Sequence, residues 1–473
     1  MLDPLPLRSG ASRALAAVLF LAALALGRIL RTERAPREIR RRGALVITRR
    51  GALRRNRSDT MSGDAAPLRL GGVAIRAADE TKHFKVLGTT GSGKTTAIIE
   101  LLRGALARGD RAVIADPHGG YLERFYDAYR GDVILNPFDP RSVRWDPFGE
   151  VQSRYDHEEL ARSLIPPGDD VSGREWRGYA RTFVAAVLRR SRRSGRDDLA
   201  RLWDLLAVAP SAEVRRAVEG TAAAPLLDAD NARMFGSVRS IAVSACAALE
   251  HIRDQRAAPF SVRGWVTGGR GVLFMPYRAG EIAALNSIIA TWVRLAIFEA
   301  LGGPQEGTRR LWFVVDELDA LGPIDGLKDA LARLRQFGGR CVLGFQSIAQ
   351  VSSTYGSGSA QTLIENCSNT LILRCAGSEH GGTSQFASRL IGEREILRSE
   401  TARGCDVGAL PGARGARRSA QILERVVTEA AVLPSELEQL PDLAGYLKVA
   451  SSPHWVRIRL ARESRGWRST ISA

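Results

Sequence analysis

Residues 88–95 read GTTGSGKT, the segment that says most about the fold of this chain. It matches the pattern G-x-x-x-x-G-K-[ST], in which glycines let backbone N–H groups turn inward around phosphates. Lys94 would reach the β- and γ-phosphates, and Thr95 would ligate magnesium. A strand over 83–88 and a helix from 96 to 106 are expected on either side of the loop. The predicted nucleotide-binding residues are Gly88, Thr89, Thr90, Gly91, Ser92, Gly93, Lys94, Thr95 and Thr96.

A second motif supplies the carboxylates that such a loop needs. Residues 311–315, LWFVV, are apolar throughout, which is typical of a central parallel strand covered on both faces. Asp316 and Glu317 follow directly and would emerge at the carboxyl end of the strand, where ligands bind in open α/β sheets. We assign Asp316 to the magnesium shell and Glu317 to the base that orients the attacking water.

Two further residues complete the predicted catalytic set. Gln346 ends the next apolar run, in VLGFQS, where its amide would hydrogen-bond the γ-phosphate or the attacking water. Arg335 lies on the intervening helix and would reach a neighbouring subunit's nucleotide as an arginine finger. Because the chain is rich in arginine, other residues compete for that role: Arg333, Arg340 and Arg374.

Composition points to a globular protein with a phosphate-bearing partner. The 473 residues suffice for two or three domains, and 68 Lys and Arg against 51 Asp and Glu give a net charge of +17. A surface this basic usually meets nucleic acid or anionic lipid. Arginine carries nearly all of that charge, which a GC-rich genome also produces, so composition alone does not establish DNA binding. The five cysteines show no C-x-x-C spacing, so neither a zinc site nor a disulfide framework is indicated.

An apolar run over residues 14–26 stands near the N-terminus. With its extension through Leu30 and a snorkelling Arg28, it reaches about 17 residues, the lower limit for crossing a bilayer. We predict a membrane anchor, with a cleaved signal peptide, a misassigned start or a buried helix as alternatives. The arginines between 28 and 50 mark the cytoplasmic side, which places the body of the protein in the cytoplasm. The same arginines could instead contact DNA or solvate a linker.

From about residue 70, short apolar runs alternate with helical stretches, which predicts an α/β, RecA-like P-loop NTPase with a parallel-rich central sheet. Strands are predicted over 83–88, 111–116, 132–136, 271–276, 311–316, 341–346 and 369–375. Residues 155–256 show helical spacing and predict an all-α insertion. Residues 399–419, rich in Gly, Arg and Ala, predict a mobile loop before a strand-like 423–427.

The predicted divisions of the chain follow from these patterns. They are a transmembrane anchor (1–30), a basic linker (31–69), the first part of the nucleotide-binding domain (70–150), an all-α insertion (151–260), the second part (261–462) and a tail (463–473).

Taken together, the chain resembles the coupling-protein ATPases of conjugation and type IV secretion, the TraG/TraD group of the HerA/FtsK class. The matching segments, between residues 82 and 448, are HFKVLGTTGSGKTT, RAVIADPHGG, DVILNPFDPRSVRWDPF, SLIPPG, EWRGYAR, VVDELDALGPIDGL, LGFQSIAQ, SNTLILR, IGERE and LPSELEQLPDLAGYLK. The resemblance implies a homo-hexameric ring, anchored at the bacterial inner membrane, with DNA in a central channel.

The resemblance also implies roles for individual residues. Lys94, Asp316, Glu317, Gln346 and Arg335 fall where the family's phosphate, metal, hydrolysis, sensor and trans-arginine residues lie. Asp116, in DPHGG, looks like a further site-lining position. Family members carry two N-terminal transmembrane helices, whereas a single marginal span is visible here.

The predicted function is an ATPase that uses ATP and Mg²⁺ to drive DNA, often with an attached relaxase, into a type IV secretion channel. DNA contact would be through phosphates and independent of sequence. The alternatives are a soluble HerA/FtsK-like DNA translocase and a nucleotide-switched substrate receptor without sustained turnover. Candidate DNA contacts are Arg189, Arg190, Arg192, Arg193 and a loop around 414–418.

Overall fold

The computed structural model describes residues 39–48, 67–168, 171–193, 199–304, 310–377, 382–406 and 417–462. Backbone contacts divide the chain into two compact units. The smaller consists of Met1–Ala44 and Gly392–Ala431, and the larger of Leu45–Ile391 and Val432–Ala473. Every residue of the predicted nucleotide site belongs to the larger unit.

The described strands are, in chain order, β1 (Ile39–Gly43), β2 (Val46–Thr48), β3 (Leu68–Leu70), β4 (Val73–Ile75), β5 (Phe84–Leu87), β6 (Arg111–Pro117), β7 (Val133–Ile134), β8 (Arg144–Trp145), β9 (Pro259–Phe260), β10 (Val272–Tyr277), β11 (Leu311–Val315), β12 (Gly339–Phe345), β13 (Asn369–Ile372), β14 (Glu393–Asp406), β15 (Arg417–Ala430), β16 (Ala444–Lys448) and β17 (Trp455–Arg459).

A mixed, mostly parallel sheet forms the centre of the larger unit, in the order β2-β17-β16-β13-β5-β12-β11-β6-β10-β7. The run from β13 to β7 is parallel throughout. β16 runs antiparallel to both of its neighbours. All seven predicted strands are confirmed and make up the parallel run, with ends that differ by up to three residues.

The described helices are Ala77–Glu80, Lys94–Ala107, Gly120–Phe125, Asp156–Leu164, Val171–Arg193, Leu199–Trp203, Ser211–Val218, Ala232–Ala245, Ala248–Arg253, Val262–Gly268, Ile282–Gly302, Leu327–Leu334, Ile348–Tyr355, Ser357–Asn366, Gly382–Ile391 and Pro434–Glu438. Short 3₁₀ turns and one π turn occupy Ala128–Arg130, Asp204–Val208, Ala224–Leu227, Ala229–Asn231 and Arg335–Phe337.

Helices cover both faces of the sheet, and alternation along each strand divides the core into two layers. On β11, Trp312 and Val314 pack on the side of the Lys94–Ala107 helix. Leu311, Phe313 and Val315 pack on the opposite side, with the Ile282–Gly302 helix. Both faces of β11 are therefore buried, which is why its five residues are all apolar.

The described residues between 155 and 256 contain helices and turns but no strand. The chain leaves the large sheet after β7 and returns to it at β10. On either side of the helical segment, the short strands β8 and β9 pair in parallel with each other. Phe183 and Phe235 make an edge-to-face contact inside the helical segment, with ring centroids 5.2 Å apart. Whether this segment is a domain with the predicted boundaries stays a prediction.

The predicted mobile loop over 399–419 is wrong for its described residues. Residues 399–406 and 417–419 belong to β14 and β15, which pair antiparallel from Glu393 opposite Ala430 to Asp406 opposite Arg417. β1 pairs with β14 and completes the three-stranded sheet of the smaller unit. Pairing with a partner strand satisfies the backbone here despite the low strand propensity of Gly and Ala.

Two strands also fall within residues 31–69, the predicted linker. β1 pairs with β14, and β2 pairs in parallel with β17 at the edge of the large sheet. These pairings join residues far apart in sequence, so local composition did not reveal them.

The predicted anchor over 14–26 lies outside the described residues. Among the described helices, Ile282–Gly302 is long and apolar enough to cross a bilayer. Most of that helix is buried in the protein core, against the sheet. Its composition is therefore explained by burial on the sheet.

Candidate nucleotide site

The GTTGSGKT loop joins β5 to the Lys94–Ala107 helix, hereafter the P-loop helix. Gly91 and Gly93 have φ of 76° and 111°, in the left-handed region that favours glycine. Gly88 is required for a different reason, because a Cβ there would lie 2.5 Å from Ser92 Oγ. The loop therefore closes tightly at the carboxyl end of β5, in front of a helix N-terminus, which favours anions.

Lys94 lies at the centre of this loop. Its Nζ donates to the carbonyl oxygens of Gly88 at 2.8 Å and Thr89 at 3.3 Å. Burial lowers the pKa of Lys94, while the nearby carboxylates of Asp316 and Glu317 act in the opposite direction. The ammonium is thus held inside the loop by carbonyls alone, in a position to exchange them for phosphate oxygens.

Asp316 connects the acidic strand to the P-loop helix. Thr95 Oγ1 donates to Asp316 Oδ2 at 2.7 Å, although β12 separates β5 from β11 in the sheet. Asp316 is 2% exposed, and its Oδ1 is buried without a hydrogen-bond partner. An orphaned carboxylate oxygen beside a threonine hydroxyl fits the water shell of Mg²⁺, which binds through few protein oxygens.

Glu317 and Gln346 meet at the ends of β11 and β12. Gln346 Nε2 donates to Glu317 Oε1 at 3.3 Å, and Thr90 Oγ1 donates to Gln346 Oε1 at 3.0 Å. Both residues are only half-buried, so they face the open side of the loop. Three predicted residues from the loop and two strands thus form one hydrogen-bonded chain.

The P-loop also has neighbours whose contact with it was not predicted from the sequence. Thr89 N donates to the carbonyl of Arg374 at 2.8 Å, and Leu443 N donates to Ser92 O at 3.0 Å. The Arg374 guanidinium pairs with Asp442 at 2.8 Å. These residues come from the chain after β13 and before β16, in the segments SNTLILR and LPSELEQLPDLAGYLK, and neither segment by itself predicts contact with the P-loop.

A cluster of carboxylates surrounds the site. Burial, and to a lesser degree the nearby Asp316, raise the pKa of Asp116 to about 6, against opposing hydrogen bonds from Leu122 and Tyr121. Burial, with help from Glu317 and Asp316, raises the pKa of Tyr277 as well. Negative charge this dense favours a bound cation.

Arg335 lies away from the site in its own chain. It is exposed, in the turn that precedes β12, whereas Gln346 follows the end of the same seven-residue strand. A strand of that length spans about 23 Å. Of its competitors, Arg340 is buried against Glu80, and Arg374 is the one whose backbone touches the P-loop.

Comparison with known proteins identifies the family. The family model described as the type IV secretion-system coupling protein DNA-binding domain matches residues 67–461. The chain belongs to this family. Coupling protein TraD of Escherichia coli (strain K12) is 29% identical over 410 residues, which cover 85% of this chain and 56% of TraD. This coupling protein thus matches little more than half the length of that relative.

Solved structures agree with the assignment. The bacterial conjugative coupling protein TrwBdeltaN70, in an unbound form, is 28% identical, with a TM-score of 0.79 over 92% of this chain and 96% of that one. The plasmid coupling protein TrwB in complex with ADP and Mg²⁺ is 29% identical, with a TM-score of 0.77 over 90% and 94%. The α/β fold of this coupling protein is therefore TrwB-like. VirB4 of Thermoanaerobacter pseudethanolicus, 14% identical with a TM-score of 0.50 over 85% of this chain and 97% of that one, shares the fold alone.

Proposed function

We propose that this coupling protein hydrolyses ATP and uses the energy to move DNA, with an attached relaxase, into a type IV secretion channel. The observation that carries the proposal is the chain of contacts from Thr90 through Gln346 to Glu317, beside a P-loop whose Thr95 is bonded to Asp316. A phosphate cradle, a metal site and a base oriented by a sensor are what hydrolysis of a γ-phosphate requires.

The residues of the chain divide this work. Lys94 would leave the carbonyls of Gly88 and Thr89 and neutralise charge on the β- and γ-phosphates. Glu317 would accept a hydrogen bond from the attacking water and align it with the γ-phosphate. Gln346, which contacts both Thr90 and Glu317, would sense whether the γ-phosphate is present.

Thr95 and Asp316 would hold magnesium. When bound, Mg²⁺ would offset the negative charge that develops on the phosphate oxygens. The buried, unpartnered Oδ1 of Asp316 supports this assignment. The complex of the relative TrwB with ADP and Mg²⁺ supports a nucleotide with its magnesium as the ligand of this chain.

Oligomeric state and location are part of the proposal. We infer a homo-hexameric ring in which Arg335 completes the nucleotide site of the neighbouring subunit. The reason is that Arg335 is exposed and lies far from the nucleotide site of its own subunit. An anchor in the bacterial inner membrane would leave the body in the cytoplasm. Membership of the coupling-protein family favours this over a soluble translocase, and the intact Glu317 favours sustained turnover over a receptor role.

The arginine-rich surface would contact DNA phosphates. Arg189 and Arg190 lie near the end of the Val171–Arg193 helix, which also contains Arg192 and Arg193. Of the loop around 414–418, residues 417 and 418 belong to β15 and the remainder lies outside the described part. Binding through phosphates should weaken steeply with salt and be indifferent to base sequence.

The test is steady-state ATPase activity of the full chain, with and without single- and double-stranded DNA. Glu317→Gln should lower turnover at least about 100-fold while leaving nucleotide binding intact, because it removes the base but not the cradle. The exposed Glu365→Gln, outside the site, is the matched control. Normal turnover or normal DNA transfer in Glu317→Gln would refute energy transduction by this site.

A further inference from the structure

A buried tyrosine contacts the proposed magnesium-binding aspartate. Tyr121 is 1% exposed and lies on the short Gly120–Phe125 helix, which follows β6, the strand beside β11. Its hydroxyl donates to Asp316 Oδ2 at 2.8 Å. Thr95 Oγ1 donates to the same oxygen at 2.7 Å. One carboxylate oxygen thus receives two hydroxyl donors, from two different elements.

The position of this tyrosine is itself fixed by Asp116. The Asp116 carboxylate accepts the backbone N–H of Tyr121 at 3.1 Å and of Leu122 at 2.7 Å. Between Asp116 and the helix, His118 and Gly119 have φ of 65° and 73°, and His118 N donates to Tyr277 O at 2.7 Å. The bend at His118 and Gly119 and the Asp116 carboxylate together place Tyr121, in the first turn of the helix, beside the end of β11.

Two donors on Oδ2 determine what the other oxygen can do. Rotation of the Asp316 carboxylate would break both hydrogen bonds, so Oδ1 stays buried and unpartnered. Oδ1 is therefore the oxygen of Asp316 that is left to accept a hydrogen bond from a metal-bound water.

We propose that Tyr121 is a positioning residue for a divalent cation at this site, acting by holding Asp316 Oδ1 free for the water shell of Mg²⁺. The inference rests on the proposed function, because it needs a nucleotide and its metal at the P-loop. It adds a residue that neither the loop motif nor the acidic strand contains. Outer partners of metal-site residues typically change metal affinity by 10- to 100-fold when removed.

The experiment compares Tyr121→Phe with Tyr126→Phe in the full chain. Both remove one phenolic oxygen at the same short helix, but Tyr126 packs on Phe274 and has no contact with Asp316. Binding of fluorescent N-methylanthraniloyl-ADP is titrated with buffered free Mg²⁺ and in EDTA, and thermal unfolding is recorded for each variant. Tyr121→Phe should raise the half-saturating Mg²⁺ concentration about 10-fold. Binding in EDTA, and all values for Tyr126→Phe, should match the unsubstituted chain.

Asp116→Asn provides a second variant, since it loosens the same helix but keeps the phenol. It should shift the Mg²⁺ dependence in the same direction by a smaller factor. A lower unfolding temperature with unchanged Mg²⁺ dependence in both variants would overturn the inference, because it is the signature of a purely structural tyrosine. Failure of the unsubstituted chain to bind the nucleotide would instead refute the proposed function, and the inference with it.

Discussion

At the scale of single residues, the site depends on close contacts that tolerate no extra atoms. Gly344 on β12 lies directly against Asp316, which follows β11. A Cβ at position 344 would be 2.2 Å from the Asp316 carbonyl oxygen and 2.8 Å from its Oδ1. Leu318 N also donates to the Gly344 carbonyl at 3.1 Å, so the two backbones are fastened together here. Only glycine at position 344 leaves room for Asp316 in this position.

Gly344→Ala should therefore damage both stability and metal binding. The methyl group meets backbone rather than a flexible side chain, so we expect a loss of about 1–3 kcal/mol in the free energy of unfolding. The added methyl group should displace Asp316, and this displacement should weaken Mg²⁺-dependent nucleotide binding. Denaturant unfolding and nucleotide titration measure the two effects.

Gly358→Ala is the matched control for that substitution. Gly358 lies in the Ser357–Asn366 helix, and a Cβ there meets nothing within 4 Å. Alanine should be neutral or stabilising by about 0.4–1 kcal/mol at such a position. If Gly344→Ala and Gly358→Ala had the same free energy of unfolding and the same Mg²⁺-dependent nucleotide binding, the role assigned to Gly344 would be contradicted.

At the scale of secondary-structure elements, a buried histidine fastens the strand that feeds the P-loop. His83 precedes β5 with φ of 54°, an unusual value for a residue other than glycine. Its ring contacts the carbonyl of Leu331 through Nε2 at 2.9 Å and accepts the N–H of Cys341 on Nδ1 at 3.1 Å. The ring thus connects β5, β12 and the helix before Arg335, and it does so as the neutral tautomer with the proton on Nε2.

That arrangement makes stability depend on pH. Burial, against an opposing hydrogen bond to Leu331 and with help from Arg335 and Arg340, lowers the pKa of His83 from 6.5 to about 4. As the pH falls, the unfolded chain therefore takes up this proton before the folded chain does. The contribution of His83 to the free energy of unfolding is complete above pH 6.5 and is lost as the pH falls toward 4. The loss attributable to His83 is roughly 3 kcal/mol over that window.

His83→Asn should flatten this dependence. Asparagine tolerates the left-handed backbone and does not titrate, so the variant should be less stable at pH 7.5 but lose less on acidification. Urea unfolding at intervals from pH 7.5 to 4.5 gives the slopes. His118→Asn, an exposed histidine with a similar φ of 65°, should keep the slope of the unsubstituted chain. If His83→Asn also keeps that slope, His83 is not the source of the pH dependence.

At the scale of the whole molecule, the central question is whether one subunit completes the site of another. In a ring with Arg335 acting in trans, a working site needs Lys94 from one subunit and Arg335 from its neighbour. Lys94→Ala and Arg335→Ala should each be inactive as pure proteins. Coassembled in equal amounts, they should recover activity at about a quarter of the sites, by random neighbours in a closed ring.

Mixing two preparations of Lys94→Ala, or two of Arg335→Ala, provides the control and should recover nothing. If the mixed variants also stay inactive, Arg335 does not act on the neighbouring subunit's site. Arg374 would then be the residue to test, since its backbone already contacts the P-loop. ATPase activity after dissociation and reassembly is the measurement.

Local sequence determined much of this protein. Three features were predictable: the GTTGSGKT loop, the wholly apolar β11 followed by two carboxylates, and the seven parallel strands. Each depends on a property that produces a recognisable pattern within a few residues, namely the conformational freedom of glycine, burial on both faces or the end of a strand. Thr95, Asp316, Glu317 and Gln346 could be chosen on the same basis, because carboxyl ends of parallel strands share one edge of a sheet.

Only the tertiary structure decided the rest. The hydroxyl of Tyr121 reaches Asp316 across 195 positions of sequence, and residues 399–406 became strand because residues 417–424 lie opposite them. Arg374 and Leu443 meet the P-loop by the same kind of long-range contact. Such contacts depend on which strands become neighbours, and no window of sequence contains both partners. The P-loop motif therefore predicts the phosphate site, while the packing of distant elements determines how the proposed metal-binding carboxylate of Asp316 is held.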